Sequence, residues 1–377
     1  MVRLLATCGG VDINRPLRIT SFPLMKDSAV NYFRMDMPLE KMVEQFKPMV
    51  KVRTSFPADV EDAAWADICI FQQQQNVDYF AKLFDWCLTH GKMVIYETDD
   101  NVMAIPPTYP VYWYYRAEGR LELAKAMIHL SHYITTTTEG LKKELGTINK
   151  NIKILRNKLD LSLAHWNYPK RKNDKVHIGW AGSFFHVPDL RTVSGVITDL
   201  VNNNDIRFML CGYAKGGRIL DYRGNLKKKP VEIVDKRGLW QDILDLFNQI
   251  PEEKMEILDI LPLFEYGAFY SRMDIAIAPL EDNRFNRCKS ELKAIEAGAY
   301  SLPIVCADVE PYRAIIKHGE NGFLARKPRH WKKYLYMLIH DKDLREHLGR
   351  NLRKTIEERY DAKEQTDRYE FYKGLVA

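Results

Sequence analysis

The sequence predicts an α/β chain built from two doubly wound parallel sheets, and three observations predict it. Short runs rich in β-branched residues alternate with segments of helical period. A polar, basic, proline-containing stretch at residues 167–175 interrupts that alternation, and the alternation then restarts. At 377 residues, with 46% hydrophobic and 28% charged residues, the chain is long enough for roughly two domains with a core each.

In the first half, residues 2–6, 68–71, 93–96, 133–135 and 152–155 read as strands. In the second half, residues 176–180, 207–210, 231–234, 275–278 and 304–306 do so. From Trp331 onward the chain is almost wholly of helical period, and residues 369–375 supply a last apolar stripe. The expected domains are therefore 1–168 and 169–355, followed by a C-terminal helical segment, 356–377. Two such domains in series suggest a ligand cleft facing both, because open parallel sheets bind ligands beyond the carboxyl ends of their strands.

Composition narrows the function classes. Six widely spaced cysteines form no CxxC pair, which argues against a disulfide framework or a zinc site. No apolar run approaches the roughly 20 residues of a membrane span, and residues 2–7 are too short for a signal-peptide core, so a cytoplasmic location is expected. The net charge of +6 gathers at Lys170, Arg171 and Lys172, at Lys227, Lys228 and Lys229, and across residues 326–333. Such patches suit a polyanion such as DNA or an anionic surface, and equally suit solvated loops.

The strongest chemical motif follows the strand 275–278 and runs to Gly298, entering a helix expected to begin near Lys289. On that helix Lys289, Lys293 and Glu296 fall at i, i+4 and i+7, on one face. Free N–H groups, the helix dipole and both ammonium groups would hold a diphosphate, and Glu296 would accept from ribose hydroxyls. Spacing alone favours an exposed face with a Lys293–Glu296 ion pair.

A second motif is a strand leading through Gly179, Gly182, Ser183 and His186 into a helix near Pro188. Its glycines admit a ligand to the backbone, and Ser183 and His186 offer donors; a tight turn with a surface histidine also fits. Asp99 and Asp100 end the strand 93–96, where a catalytic carboxylate is presented, although a metal ligand pair or a solvated turn has the same look; no metal site is expected. Gly9 and Gly10 close the expected first strand, where a loop meets a donor or acceptor. The aromatic run from Tyr109 to Tyr115, including Tyr112 and Trp113, could stack on a sugar or base, or pack a loop. Hydrolase, HExxH and Walker A motifs are absent.

Together the segments NYFRMDMPL (31–39), ADICIFQ (66–72), VIYETDD (94–100), IGWAGS (178–183) with His186 and Asp189, DIAIAPL (274–280), NRCKS (286–290) and NGFL (321–324) resemble retaining GT-B glycosyltransferases. The group in question is the family-4-like one of bacterial surface-glycan and bacteriophage gene clusters. The resemblance implies two Rossmann-like domains, a donor held mainly by the second, an acceptor mainly by the first, and a C-terminal helix crossing back. It implies that Lys289 and Ser290 meet the donor diphosphate, Glu296 the ribose, Gly182 and Ser183 the phosphate or sugar, and Gly212 and Tyr213 the nucleobase.

The co-substrate would be a nucleotide sugar of the UDP-glucose type, with no cofactor and no obligatory metal, and the transfer would retain configuration. The acceptor would be a hydroxymethylated pyrimidine in phage DNA, in the host cytoplasm, or a surface polysaccharide or lipid glycan. Tyr112, Trp113 and Tyr115 are the acceptor candidates; Asp99, Asp100 and Glu296 are the catalytic ones. Where the family has the first of two glutamates eight positions apart, this chain has Cys288, and only Lys215 or Arg218 could supply the usual basic pair. A non-catalytic nucleotide-sugar binding protein and a nucleotide-sugar epimerase remain alternative readings.

Overall fold

The computed structural model describes residues 15–73, 77–109, 111–214 and 236–377. Among these residues the chain forms two six-stranded sheets. By contacts it divides into two compact units. The described parts of Met1–Ala104, Trp113–Asn157 and Ala362–Ala377 form the first; Ile105–Tyr112 and Lys158–Asp361 form the second.

The first unit contains β1 (Leu17–Phe22), β2 (Val50–Thr54), β3 (Ile68–Gln72), β4 (Met93–Glu97), β5 (Tyr133–Thr136) and β6 (Ile152–Ile154), in the order β2-β1-β3-β4-β5-β6. Every neighbouring pair is parallel. Strand β3 is buried along its whole length, as expected of a parallel strand covered on both faces. The helix Met37–Phe46 brings Leu39 and Met42 onto Ile19, Ile68 and Ile95, and the last helix, Thr366–Gly374, adds Tyr369 and Tyr372 to the same core. Phe46 and Tyr369 stack with centroids 4.1 Å apart.

The second unit contains β7 (Val176–Ala181), β8 (Ile206–Tyr213), β9 (Met255–Asp259), β10 (Ile275–Ala278), β11 (Ile304–Ala307) and β12 (Phe323–Ala325), in the order β12-β11-β10-β7-β8-β9 and again all parallel. Both orders are those of doubly wound, Rossmann-like sheets.

Four of these strands, β1, β2, β9 and β12, were not expected. The expected strands 2–6 and 231–234 lie outside the described residues. Among the described residues no helix is long and apolar enough to cross a membrane. Cys69, Cys87, Cys211, Cys288 and Cys306 are buried.

Candidate functional site

In the second sheet β7 lies beside β10, although two strands separate them in sequence; the strand order reverses at this point. Ligands bind doubly wound sheets beyond the carboxyl ends of the strands at such a reversal. There β7 runs into the turn from Gly182 to His186, and β10 into the segment that carries Asn286 and Lys289.

Two glycines shape this edge. The Gly182 N–H donates to the Cys211 carbonyl at 3.1 Å. Gly212 has φ +101°, and a Cβ there would overlap the Gly182 carbonyl oxygen. A Cβ on Gly182 would itself come within 2.9 Å of the Lys293 ammonium. Only glycine permits both the backbone angle and this approach of two strand ends.

The helix that follows starts later than the apolar period suggests. Residues Asn286–Cys288 form a single 3-10 turn, Lys289 is extended (φ −64°, ψ 161°), and the helix is Leu292–Ala299. Lys289 therefore precedes the helix and does not share its face with Lys293 and Glu296; its ammonium lies 4.4 Å from the Phe285 ring centroid. Lys293 and Glu296, at i and i+3, remain neighbours on the helix.

They are neither an exposed pair nor an ion pair. Lys293 Nζ donates to the Ala181 carbonyl at 2.5 Å and lies 5.3 Å from the Trp180 ring centroid. Glu296 is only 4% exposed, and its Oε2 accepts from the Tyr270 hydroxyl at 2.7 Å. The helix is buried along its length from Ala294 to Ala299, so its polar side chains find partners inside the unit. Burial pushes the Glu296 carboxyl up to about 7, although Lys293 and the Tyr270 hydrogen bond both favour its charged form. Burial likewise lowers Lys293, against the pull of Glu296 and Asp189.

Asp189 is the hub that joins the two segments, and it was missed as a site residue. Its Oδ1 accepts from the Tyr109 hydroxyl (2.9 Å), Asn286 Nδ2 (2.8 Å) and the Glu281 backbone N–H (2.8 Å); its Oδ2 meets His186 Nδ1 at 2.7 Å. His186 is thus no surface histidine. Asn286 and Tyr270 were missed as well, and Tyr109, read only as part of an aromatic run that stacks on a sugar or base or packs a loop, donates to Asp189. The signals available for Asp189 and Asn286 were the i,i+3 spacing of His186 and Asp189 and the place of Asn286 just after a strand end.

Of the other expected donor residues, Ser183 precedes the 3-10 turn Phe184–His186, its carbonyl accepting from the His186 N–H at 3.2 Å, and Ser290 sits between Lys289 and the helix. The Tyr213 ring meets Trp240 edge to face at 5.3 Å, and its carbonyl accepts from Ile260 N–H. Gly9, Gly10, Lys215 and Arg218 lie outside the described residues.

In the first unit Asp99 and Asp100 follow β4. Asp99 Oδ1 accepts from Gln73 Nε2 at 3.0 Å, and the Asp100 carbonyl accepts from the Thr98 hydroxyl at 2.9 Å. Tyr115 lies within electrostatic reach of both aspartates, and burial raises its phenol above the usual range. Beneath them the buried Arg34–Glu97 pair (2.7 Å) is joined to Asn157 and Thr135. Trp113 is 72% exposed. The acceptor candidates fall in both units, because Tyr112 belongs to the second while Trp113 and Tyr115 belong to the first.

Among the described residues no group of three or more His, Cys, Asp or Glu side chains is arranged to hold a metal. Lys170, Arg171, Lys172, Arg326, Lys327, Arg329, Lys332 and Lys333 are exposed, and Lys332 pairs with Asp199 at 2.7 Å. Lys227, Lys228 and Lys229 lie outside the described residues.

Two Rossmann-like sheets in one chain are the architecture of GT-B glycosyltransferases, and solved structures bear this out at the level of the fold. Sucrose-phosphate synthase from Thermosynechococcus elongatus matches with a TM-score of 0.66 at 12% identity, covering 96% of this chain and 99% of that one. HepE from Anabaena, solved with UDP-glucose, matches with a TM-score of 0.64 at 11% identity, covering 95% and 99%. A glycosyltransferase from Rickettsia africae matches with a TM-score of 0.62 at 11% identity, covering 96% and 99%. No curated protein matches the chain. The chain belongs to the glycosyl transferases group 1, whose family model matches residues 167–355 and so spans the whole Gly182–Glu296 constellation.

Proposed function

We propose that this chain is a retaining glycosyltransferase that moves a hexose from a UDP-glucose-type donor to an acceptor hydroxyl. The observation that carries the reading is the constellation at the reversal of the second sheet. There the Lys293 ammonium stands at the close-packed Gly182–Gly212 crossing, with the buried Glu296 one helical turn on. A cation beside the backbone of a strand end suits a diphosphate, and a buried carboxylate suits ribose hydroxyls. HepE has been solved with UDP and with UDP-glucose, and TarM of S. aureus with UDP and α-GlcNAc-glycerol, which supports the same donor class here.

In this reading Lys289 and Lys293 neutralise the diphosphate as it leaves and the Ser290 hydroxyl donates to it, without an obligatory metal. Gly182 and Ser183 approach the phosphate or sugar, and Gly212 and Tyr213 border the base. Asp99 and Asp100 orient the acceptor, while Tyr112, Trp113 and Tyr115 stack against it. Positioning and charge stabilisation carry catalysis. The cytoplasm suits the buried thiols of Cys69, Cys87, Cys211 and Cys306.

The acceptor we favour is a hydroxymethylated pyrimidine in DNA, because the exposed residues Arg326, Lys327, Arg329 and Lys333 offer a basic surface. A mass-shift assay offering modified DNA, unmodified DNA and saccharides beside a panel of nucleotide sugars tests it. A hexose increment on the modified nucleoside, with a rate that falls steeply with salt, is expected. Transfer to a saccharide alone, insensitive to salt, would move the acceptor to a surface glycan. A second reading has one observation behind it: the fold also matches a UDP-N-acetylglucosamine 2-epimerase from Listeria monocytogenes described as putative, with a TM-score of 0.54. Formation of a sugar isomer without any acceptor would support it.

A further inference from the structure

We propose that Asp189 is a positioning residue that holds His186 as its Nδ1–H tautomer, so that Nε2 accepts a hydrogen bond from a hydroxyl of the donor's hexose. This rests on the donor reading above.

Asp189 is fully buried, and its Oδ1 already takes three donors, from Tyr109, Asn286 and the Glu281 backbone. Those contacts fix the carboxylate plane and leave Oδ2 aimed at His186 Nδ1, 2.7 Å away. An ionised carboxylate oxygen only accepts, so the proton between them sits on Nδ1. Burial disfavours a second proton on the ring, and the neighbouring Lys293 and Lys289 charges act in the same direction; only Asp189 opposes them, and the ring is held below its ordinary range. A neutral ring protonated at Nδ1 carries its lone pair on Nε2. Among the described residues the one hydrogen bond of the His186 side chain is made through Nδ1.

The ring stands edge-on to Trp180 at 6.0 Å, and the Lys293 ammonium lies over that same indole. The turn therefore presents a cation and a bare acceptor close together. The ammonium suits a phosphate oxygen. The Nε2 lone pair repels one and calls instead for an O–H donor, which in a nucleotide sugar beyond its phosphates means a hexose hydroxyl.

Asp189→Asn separates position from tautomer. The amide oxygen can keep the three contacts of Oδ1, while the amide N–H₂ now faces the ring, makes Nδ1 the acceptor and moves the proton to Nε2. The experiment is a ¹⁵N-edited spectrum of the imidazole in the free protein near neutral pH, with calorimetry of UDP and kinetics with UDP-glucose. We expect wild-type His186 protonated at Nδ1 and the variant protonated at Nε2. UDP, which lacks the hexose, should keep its affinity within roughly twofold, whereas kcat/KM for UDP-glucose should fall roughly 10- to 100-fold. Among monodeoxy donors, the one lacking the contacted hydroxyl should show no further loss in the variant.

A wild-type ring protonated at Nε2 would overturn the proposal, and that spectrum decides the tautomer even if the variant proves unstable. A flipped tautomer with unchanged UDP-glucose kinetics would overturn it too. Absence of UDP binding in the wild type would instead bring down the donor reading, together with the hexose contact proposed for Nε2, while the spectrum would still decide whether Asp189 sets the tautomer.

Discussion

The Tyr270 hydroxyl donates to Oε2 of Glu296 at 2.7 Å inside the second unit, where Glu296 is almost wholly out of water. Burial raises this carboxyl from 4.5 to about 7, and neither the Tyr270 hydrogen bond nor the nearby Lys293 cancels the desolvation. At neutral pH the group is therefore poised between its two forms.

A stability signature follows from the sign of that shift. Between about pH 4.5 and 7 the folded chain holds a proton that the unfolded chain has lost, so Glu296 contributes stability below this window and loses it as pH rises through it. Glu296→Gln keeps the neutral shape and removes the loss. Urea unfolding should show the variant gaining on the wild type from acid to alkaline pH, by on the order of 3 kcal/mol across the window. A pH-independent difference would contradict the burial argument.

Tyr270→Phe removes a hydrogen bond that favours the ionised carboxylate, so the Glu296 pKa should rise further. The acid limb of the kcat/KM profile, set by a carboxylate that must receive ribose hydroxyls, should move to higher pH, with roughly 1 kcal/mol lost from stability. An acid limb that stays in place would remove Glu296 from donor recognition.

Gly212→Ala meets both a φ of +101° and the Gly182 carbonyl. We expect roughly 2 kcal/mol or more of lost stability in thermal or urea unfolding, and loss of donor affinity as the two strand ends are forced apart. An alanine variant as stable as the wild type would mean that the crossing is looser than the structure shows.

Much of the fold was legible because β3, β4, β7, β10 and β11 are buried parallel strands and so read as continuous apolar runs. Strand β1 hid because Arg18, Thr20 and Ser21 interrupt it, and Thr20 and Ser21 are buried all the same. Strand β2, at the sheet edge, turns Lys51 and Arg53 outward and reads as polar. The edge strands β9 and β12 are half-exposed or only three residues long. In the site, Gly182, His186, Lys293 and Glu296 were readable because strand ends and helical spacing are local features. The Asn286–Tyr109 contact spans 177 residues and the Tyr270–Glu296 contact 26, which no periodicity carries. The late helix start escaped notice because Cys288, Leu292 and Ile295 keep a helical apolar spacing across the polar residues 289–291, although the helix begins only at Leu292.

Trp113 is 72% exposed, so Trp113→Ala should alter stability by no more than about 0.5 kcal/mol. If it stacks on the acceptor, the acceptor KM should rise roughly tenfold or more while hydrolysis of the donor stays unchanged. An unchanged acceptor KM would return this aromatic to the role of a surface side chain.

The most direct test of the central claim, that the second unit holds a nucleotide sugar at the Gly182–Lys293–Glu296 edge, is the affinity of UDP-glucose for the wild type and for Lys293→Met by titration calorimetry. We predict measurable binding by the wild type and a loss of roughly 10-fold or more in the variant, with the fold intact, because a charge-assisted contact to the diphosphate is removed. Equal affinities in the two proteins would show that the nucleotide sugar binds elsewhere and would contradict the account.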